Sequence, residues 1–118
     1  MAKLGVVCRD SAGVVHFNAH GTRKEVQTPL QAELLAILFG LEIALDKGYK
    51  NILLETNSLI AVNEIEKGFL SLCERGNIVF DICFYIAQCD RCKVGHVKRE
   101  ANRLAHNLAK CQGLMILI

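Results

Sequence analysis

A helix with both ends marked in the sequence sets the first limit on the fold. Thr28 is a preferred N-cap, Pro29 suits the first helical position, and Gln31 stands where a capping box requires it. Leu30, Leu34, Leu38, Leu41 and Leu45 follow at three- and four-residue steps, with Ile37 and Ala44 beside them. That spacing predicts an amphipathic helix with one continuous apolar stripe. Gly48 supplies the stop, and Lys47 in the last turn suits the carbonyl end of the helix dipole. A stripe of this kind needs another layer to cover it.

The flanking segments supply that layer. Leu4–Cys8 is a short apolar run that ends in the turn-rich Arg9-Asp10-Ser11-Ala12-Gly13, and Val14–Ala19 is β-branched and too short for a helix. Together they predict a hairpin. Asn51–Glu55, around Ile52-Leu53-Leu54, predicts a buried strand, and Asn57 and Ser58 open a second helix through Leu59, Ile60, Val62 and Ile65 to Gly68. Asn57 suits the cap of that helix. Asn77–Cys89 predicts a third helix with Val79, Ile82, Cys83 and Ile86 inward, Lys93–Val97 a further strand, and Glu100–Lys110 a fourth helix. An antiparallel start followed by alternating elements implies an α/β fold, a mixed sheet with flanking helices.

The chain has 118 residues, 52% of them apolar, with no repeat and no linker, so one domain covering 1–118 is expected and disorder is excluded. The longest apolar run, Leu34–Phe39, falls far short of the ~18 residues a membrane span needs. The opening residues lack the apolar core of a secretory leader, so an intracellular chain with reduced cysteines is expected. The net charge of +2 is unevenly spread. Residues 1–87 carry eight basic and ten acidic side chains, and residues 88–118 carry six basic and two acidic. The C-terminal quarter is therefore the expected face for an anionic partner. Cys89-Asp90-Arg91-Cys92, with His96 four residues on, has the spacing of a metal knuckle, but no second Cys-x-x-Cys completes a four-ligand site. A turn flanked by half-buried thiols is the expected arrangement.

Three segments carry potential chemistry. Pro29-Leu-Gln-Ala-Glu33-Leu places a carboxylate in the second turn of the first helix. Leu54-Glu55-Thr56-Asn57-Ser58-Leu59 places polar groups at the C-terminal end of a strand, where open α/β sheets bind ligands. Residues 95–106, Gly95-His96-Val-Lys98-Arg99-Glu-Ala-Asn102-Arg103-Leu-Ala-His106, run from a strand into a basic helix. With Gly5-Val-Val-Cys-Arg-Asp10, these segments resemble the ribonuclease H fold, specifically the reverse-transcriptase-like ribonuclease H domains common in plant genomes. The likeness covers roughly residues 4–111, and His-x-x-Arg-Glu-Ala-Asn is its most specific part.

The resemblance implies four carboxylates holding two Mg2+ ions that cleave the RNA strand of an RNA–DNA hybrid. The helix carboxylate falls on Glu33, which is present and is the expected metal ligand. The strand-end aspartate falls on Asn57 and the final-helix aspartate on His106. The first aspartate belongs to a strand expected before Leu4. A neutral amide and an imidazole are poor replacements for carboxylates at a hard cation. Glu42 and Asp46 are expected to face solvent rather than to replace them. His96, Lys98, Arg99, Asn102 and Arg103 are the expected nucleic-acid-binding residues, with Lys110 adding charge.

The resemblance also places the family's first strand in the middle of the sheet, and this strand is not recognisable here. The sheet is expected to close imperfectly, to accept a strand from a protein partner, or to take in the strand-like Leu114-Met-Ile-Leu-Ile118. The expected function is a nucleic-acid-binding domain related to hybrid endonucleases, with hydrolysis impaired. The alternatives are an active hybrid ribonuclease built on Glu33 and a truncated module acting through protein association.

Overall fold

The computed structural model describes residues 2–70, 77–98 and 112–118. Strand β1 (Ala2–Arg9) and strand β2 (Val15–Arg23) form the expected hairpin, antiparallel, with an irregularity in register at Cys8/Arg9. The turn is held by Asp10, whose carboxylate Oδ1 accepts from the Ala12 and Val14 N–H groups at 2.9 and 3.0 Å. Gly13 sits at φ +84°, a conformation that suits glycine.

Helix α1 (Pro29–Asp46) starts and stops as the sequence predicts. The Thr28 hydroxyl accepts from the Gln31 N–H at 3.1 Å, and Gly48 follows the Lys47 C-cap at φ +90°. The reciprocal half of the capping box lands one residue early: the Gln31 side chain accepts from the Gln27 N–H at 2.8 Å, not from that of Thr28. The buried face runs through Leu34, Ile37, Leu41 and Ala44, with Ala36 and Gly40 beside it, while Leu30 and Leu38 lie partly exposed at its margin.

Strand β3 (Asn51–Thr56) leads into helix α2 (Leu59–Leu70), and helix α3 (Ile78–Ala87) into strand β4 (Arg91–His96). Ser58, not Asn57, caps α2: its hydroxyl accepts from the Ala61 N–H at 3.1 Å and its carbonyl from the Val62 N–H. The Asn77 side chain caps α3. Cys89 and Cys92, both half-buried, flank the turn between α3 and β4. The fourth helix expected over Glu100–Lys110 lies outside the described residues.

The sheet order is β2-β1-β5-β3-β4, where β5 spans Gln112–Leu117. β5 runs parallel to β1 and antiparallel to β3, and β3 is parallel to β4. Of the three expected outcomes for the central position (imperfect closure, a strand from a protein partner, or uptake of Leu114–Ile118), the structure shows the third: the chain's own C-terminal strand fills it. Both flanking strands find their ladder partners in β5, so no foreign strand is needed between them. This answers the edge problem that an open gap would create.

The core lies between one face of the sheet and the helices. Val6, Cys8, Leu114, Ile116, Ile52 and Leu54 from the strands meet Leu34, Ile37, Leu41 and Ala44 of α1, Ala61 and Ile65 of α2, and Val79 and Ile82 of α3. Val7 and Met115, paired across β1 and β5, are buried on the other face with Leu117 beside them. No helix among the described residues is long and apolar enough to cross a membrane.

Candidate functional site

The alternation of β3 buries Ile52, Leu54 and Thr56 on the helix side of the sheet. Thr56 is the last of these and the one buried polar side chain among the described residues, at 1% exposure. A buried hydroxyl needs partners, and Thr56 has two. It accepts from the Ser58 N–H at 3.2 Å and donates to Glu33 Oε2 at 3.4 Å. The bond to Glu33 ties the second turn of α1 to the end of β3 across 23 residues of sequence.

Asn57 follows directly. Glu33 and Asn57 line one open cavity of about 340 Å³ with Pro29, Leu30, Ser58, Leu59 and Ile60. Its walls are the first turns of α1 and α2. With Ser58 capping α2, the Asn57 side chain has no cap role and remains at the cavity wall. The cavity sits at the C-terminal ends of parallel strands β3 and β4, the place where α/β sheets gather ligands.

β4 brings two further predicted residues to this end. His96 pairs in register with Thr56, and the Val97 N–H donates to the Thr56 carbonyl at 2.8 Å. His96 and, two residues on, Lys98 are both exposed. His106, Arg99, Asn102, Arg103 and Lys110 lie outside the described residues. Glu42 is nine residues beyond Glu33, about two and a half helical turns, and so points the other way. Glu42 and Asp46 are exposed and line a separate hollow of about 600 Å³ with Arg23, Phe39 and Tyr85.

Among the described residues, the cavity is lined by one carboxylate and one amide, with the Ser58 hydroxyl engaged in capping α2 and one carboxylate oxygen bonded to the Thr56 hydroxyl. No group of three or more His, Cys, Asp or Glu that could hold a metal is found among the described residues. Mg2+ prefers oxygen ligands in an octahedron and usually takes one or two carboxylates plus substrate phosphates. The described residues supply less than two such ions require.

Thr56 and Ser58 lie within the strand-end segment that the sequence marks as polar, but neither is singled out there as a site residue. The signal for Thr56 was its place in the β3 alternation, two residues beyond Leu54, which turns it inward at the level of Asn57.

A sequence profile of the family described as reverse transcriptase-like matches residues 1–112. A search of curated proteins finds no match. Among solved structures, the chain is similar to ribonuclease H1 from the halophilic archaeon Halobacterium salinarum NRC-1. The TM-score is 0.70 at 20% identity, over 85% of this chain and 76% of the other.

Proposed function

The chain belongs to the reverse transcriptase-like family and has a ribonuclease H-like fold, and on that footing we propose that it binds nucleic acid with its hydrolytic centre impaired. The observation that carries this reading is the cavity at the ends of β3 and β4, where Glu33 is joined by Asn57 rather than by a second carboxylate. In this reading Asn57 and His106 occupy positions where related enzymes hold aspartates, and Mg2+ is held weakly through Glu33 or not at all. A two-metal cleavage needs both ions, one for the attacking and one for the leaving oxygen. Each ~1.4 kcal/mol of lost stabilisation costs tenfold in rate, so loss of one ion removes orders of magnitude.

Binding rests on different residues. Exposed His96 and Lys98 lie at the same end of the sheet as the cavity, and the basic excess of residues 88–118 favours an anionic partner. An RNA–DNA hybrid is the proposed ligand. The test incubates a labelled hybrid with the purified chain in Mg2+ or Mn2+ and measures binding in parallel. Salt-dependent binding with no more than trace cleavage is expected. Robust cleavage that disappears in Glu33→Gln overturns the impaired reading, and absence of salt-dependent binding overturns the nucleic-acid reading.

A further inference from the structure

Among the described strands, β2 ends the sheet on one side and β4 on the other. A sheet edge presents unpaired N–H and C=O groups, and proteins guard such edges with charge, proline or short length. β4 is guarded: it has six residues and carries Arg91 and Lys93. β2 is not. It runs for nine residues with no proline, no lysine and no acidic side chain, and its one arginine is its last residue. The apolar Val14 and Val15 stand exposed at its start.

The ladders show which groups of β2 face outward. The Ile118 N–H donates to the Arg9 carbonyl at 3.1 Å, so the backbone of Arg9 faces β5. Backbone direction alternates along a strand, so Cys8, Val6 and Leu4 face β2. The extra residue at the register irregularity is His16 on β2, so alternation along β1 is unbroken. The partners of those residues, Phe17, Ala19 and Gly21, therefore direct their backbone groups to β1. That leaves the N–H and C=O groups of Asn18, His20 and Thr22 pointing away from the sheet. Side chains alternate as well. A Cβ on Gly21 would lie 3.0 Å from the Phe39 ring, and Phe17 packs against the core, so Phe17, Ala19 and Gly21 face the helices. Asn18, His20 and Thr22 carry exposed side chains on the other face.

We propose that β2 pairs antiparallel with β2 of a second copy of this chain, about a twofold axis at Ala19, to form one continuous sheet. The strand's self-complementarity selects both partner and register. An antiparallel ladder sets outward-facing residues opposite one another, so even-numbered residues meet even-numbered ones. With Ala19 opposite Ala19, Asn18 meets His20 of the second copy and His20 meets Asn18, each pair exchanging two backbone hydrogen bonds. Phe17 falls opposite Gly21 in the closer, non-hydrogen-bonded type of pair, where an aromatic ring covers the space that the missing side chain leaves. Arg23 falls opposite Val15, and no two charges of like sign are opposed. The neighbouring registers of the same parity set His20 opposite His20, or His16 opposite His20, which repel when protonated, and both lose the Phe17–Gly21 pair.

The β2 edge is separated from β3 and β4 by β1 and β5, so the Glu33–Asn57 cavity stays open in the pair and self-association does not depend on the nucleic-acid reading. An edge contact of this length buries less than a standard interface, so a dissociation constant of about 1–100 μM is expected.

The test is sedimentation velocity on the full chain without nucleic acid, over concentrations that span this range. Wild type is expected to pass from monomer to dimer. Asn18→Lys with His20→Lys opposes like charges in both central pairs and is expected to weaken the dimer at least tenfold. Asn18→Glu with His20→Lys sets opposite charges across the same pairs and is expected to restore or exceed wild-type association. In the neighbouring registers this second variant opposes like charges instead and stays monomeric. Both positions are exposed, and urea unfolding of each variant verifies the fold. A wild type that stays monomeric throughout, equal association of all three proteins, or a charge-paired variant as weak as the two-lysine variant overturns the proposal.

Discussion

Gly40 shows how one residue sets the distance between layers. In a helix interior, glycine costs about 1 kcal/mol relative to alanine, so Gly40→Ala looks stabilising from sequence alone. In the fold, a Cβ at this position would run into Leu114 and lie 3.2 Å from Ile116, both fully buried in β5. Overpacking costs about 1–3 kcal/mol and outweighs the propensity gain. Gly40→Ala is expected to lower stability by roughly 1–2 kcal/mol in urea unfolding, and Leu114→Ala to cost less in the Gly40→Ala chain than in wild type. Asp10 is governed by charge instead. The His16 hydrogen bond at 2.9 Å, followed by the backbone N–H groups, holds its carboxyl below the ordinary carboxylate value. Its contribution is therefore complete above that ordinary value and is lost as pH falls through the lowered one. The stability difference between wild type and Asp10→Asn is expected to shrink as pH falls below the ordinary carboxylate value and through the lowered one. At the candidate site, Glu33 and Asn57 were singled out by the resemblance of their segments to the ribonuclease H family, and their meeting in one cavity is a property of the packing. Ser58 displaced Asn57 as the helix cap because either residue type suits that position, and only the geometry decides between two neighbours.

At the scale of elements, the hairpin, α1, β3 and β4 could all be read from periodicity and caps, because each carries its own local signal. The position of β5 could not, because nothing in Leu114–Ile118 says which strands it will join. The topology explains why it fits. β5 is parallel to β1 and antiparallel to β3, so those two strands run in opposite directions. A gap between oppositely directed strands accepts a strand of either polarity, with one parallel and one antiparallel ladder in both cases. Direction is then set by where the connecting chain enters, and the apolar alternation sets the register. Leu114 and Ile116 point to the helix face and Met115 to the other, all at most 1% exposed. Each such burial contributes about 1.5–3 kcal/mol. Ile116→Ala is expected to cost about 2–5 kcal/mol, as a central core position does. In native-state hydrogen exchange, the Leu114–Ile116 amides are expected to exchange only on global unfolding, with the β1 and β3 amides. Early exchange of β5, with β1 and β3 still protected, would show that the strand is peripheral to the fold.

For the whole molecule, net charge and charge placement lead to different expectations. A chain of net charge +2 gives little long-range attraction to a polyanion. The excess of basic over acidic groups in residues 88–118, opposed by the acidic excess of residues 1–87, is an asymmetry along the sequence that the total conceals. The fold sets His96 and Lys98 beside the end of β3, at the same end as the Glu33–Asn57 cavity, while Lys47 sits at the far end of α1 over the Phe17 ring. If this end of the sheet meets phosphates, each lysine that neutralises one releases its condensed counterion, and the salt dependence counts those contacts. Lys98→Gln is then expected to weaken binding of an RNA–DNA hybrid and to reduce the magnitude of the slope of log K against log salt by about one. Lys47→Gln removes the same charge from the molecule and is expected to leave the slope unchanged. The comparison separates a localised interface from a general effect of net charge, because a purely global attraction responds equally to both substitutions. Fluorescence anisotropy titrations at several salt concentrations, with urea unfolding of each variant as a check on folding, measure the two slopes directly. Equal slopes for the two variants would remove the cavity end of the sheet from consideration as the nucleic-acid interface.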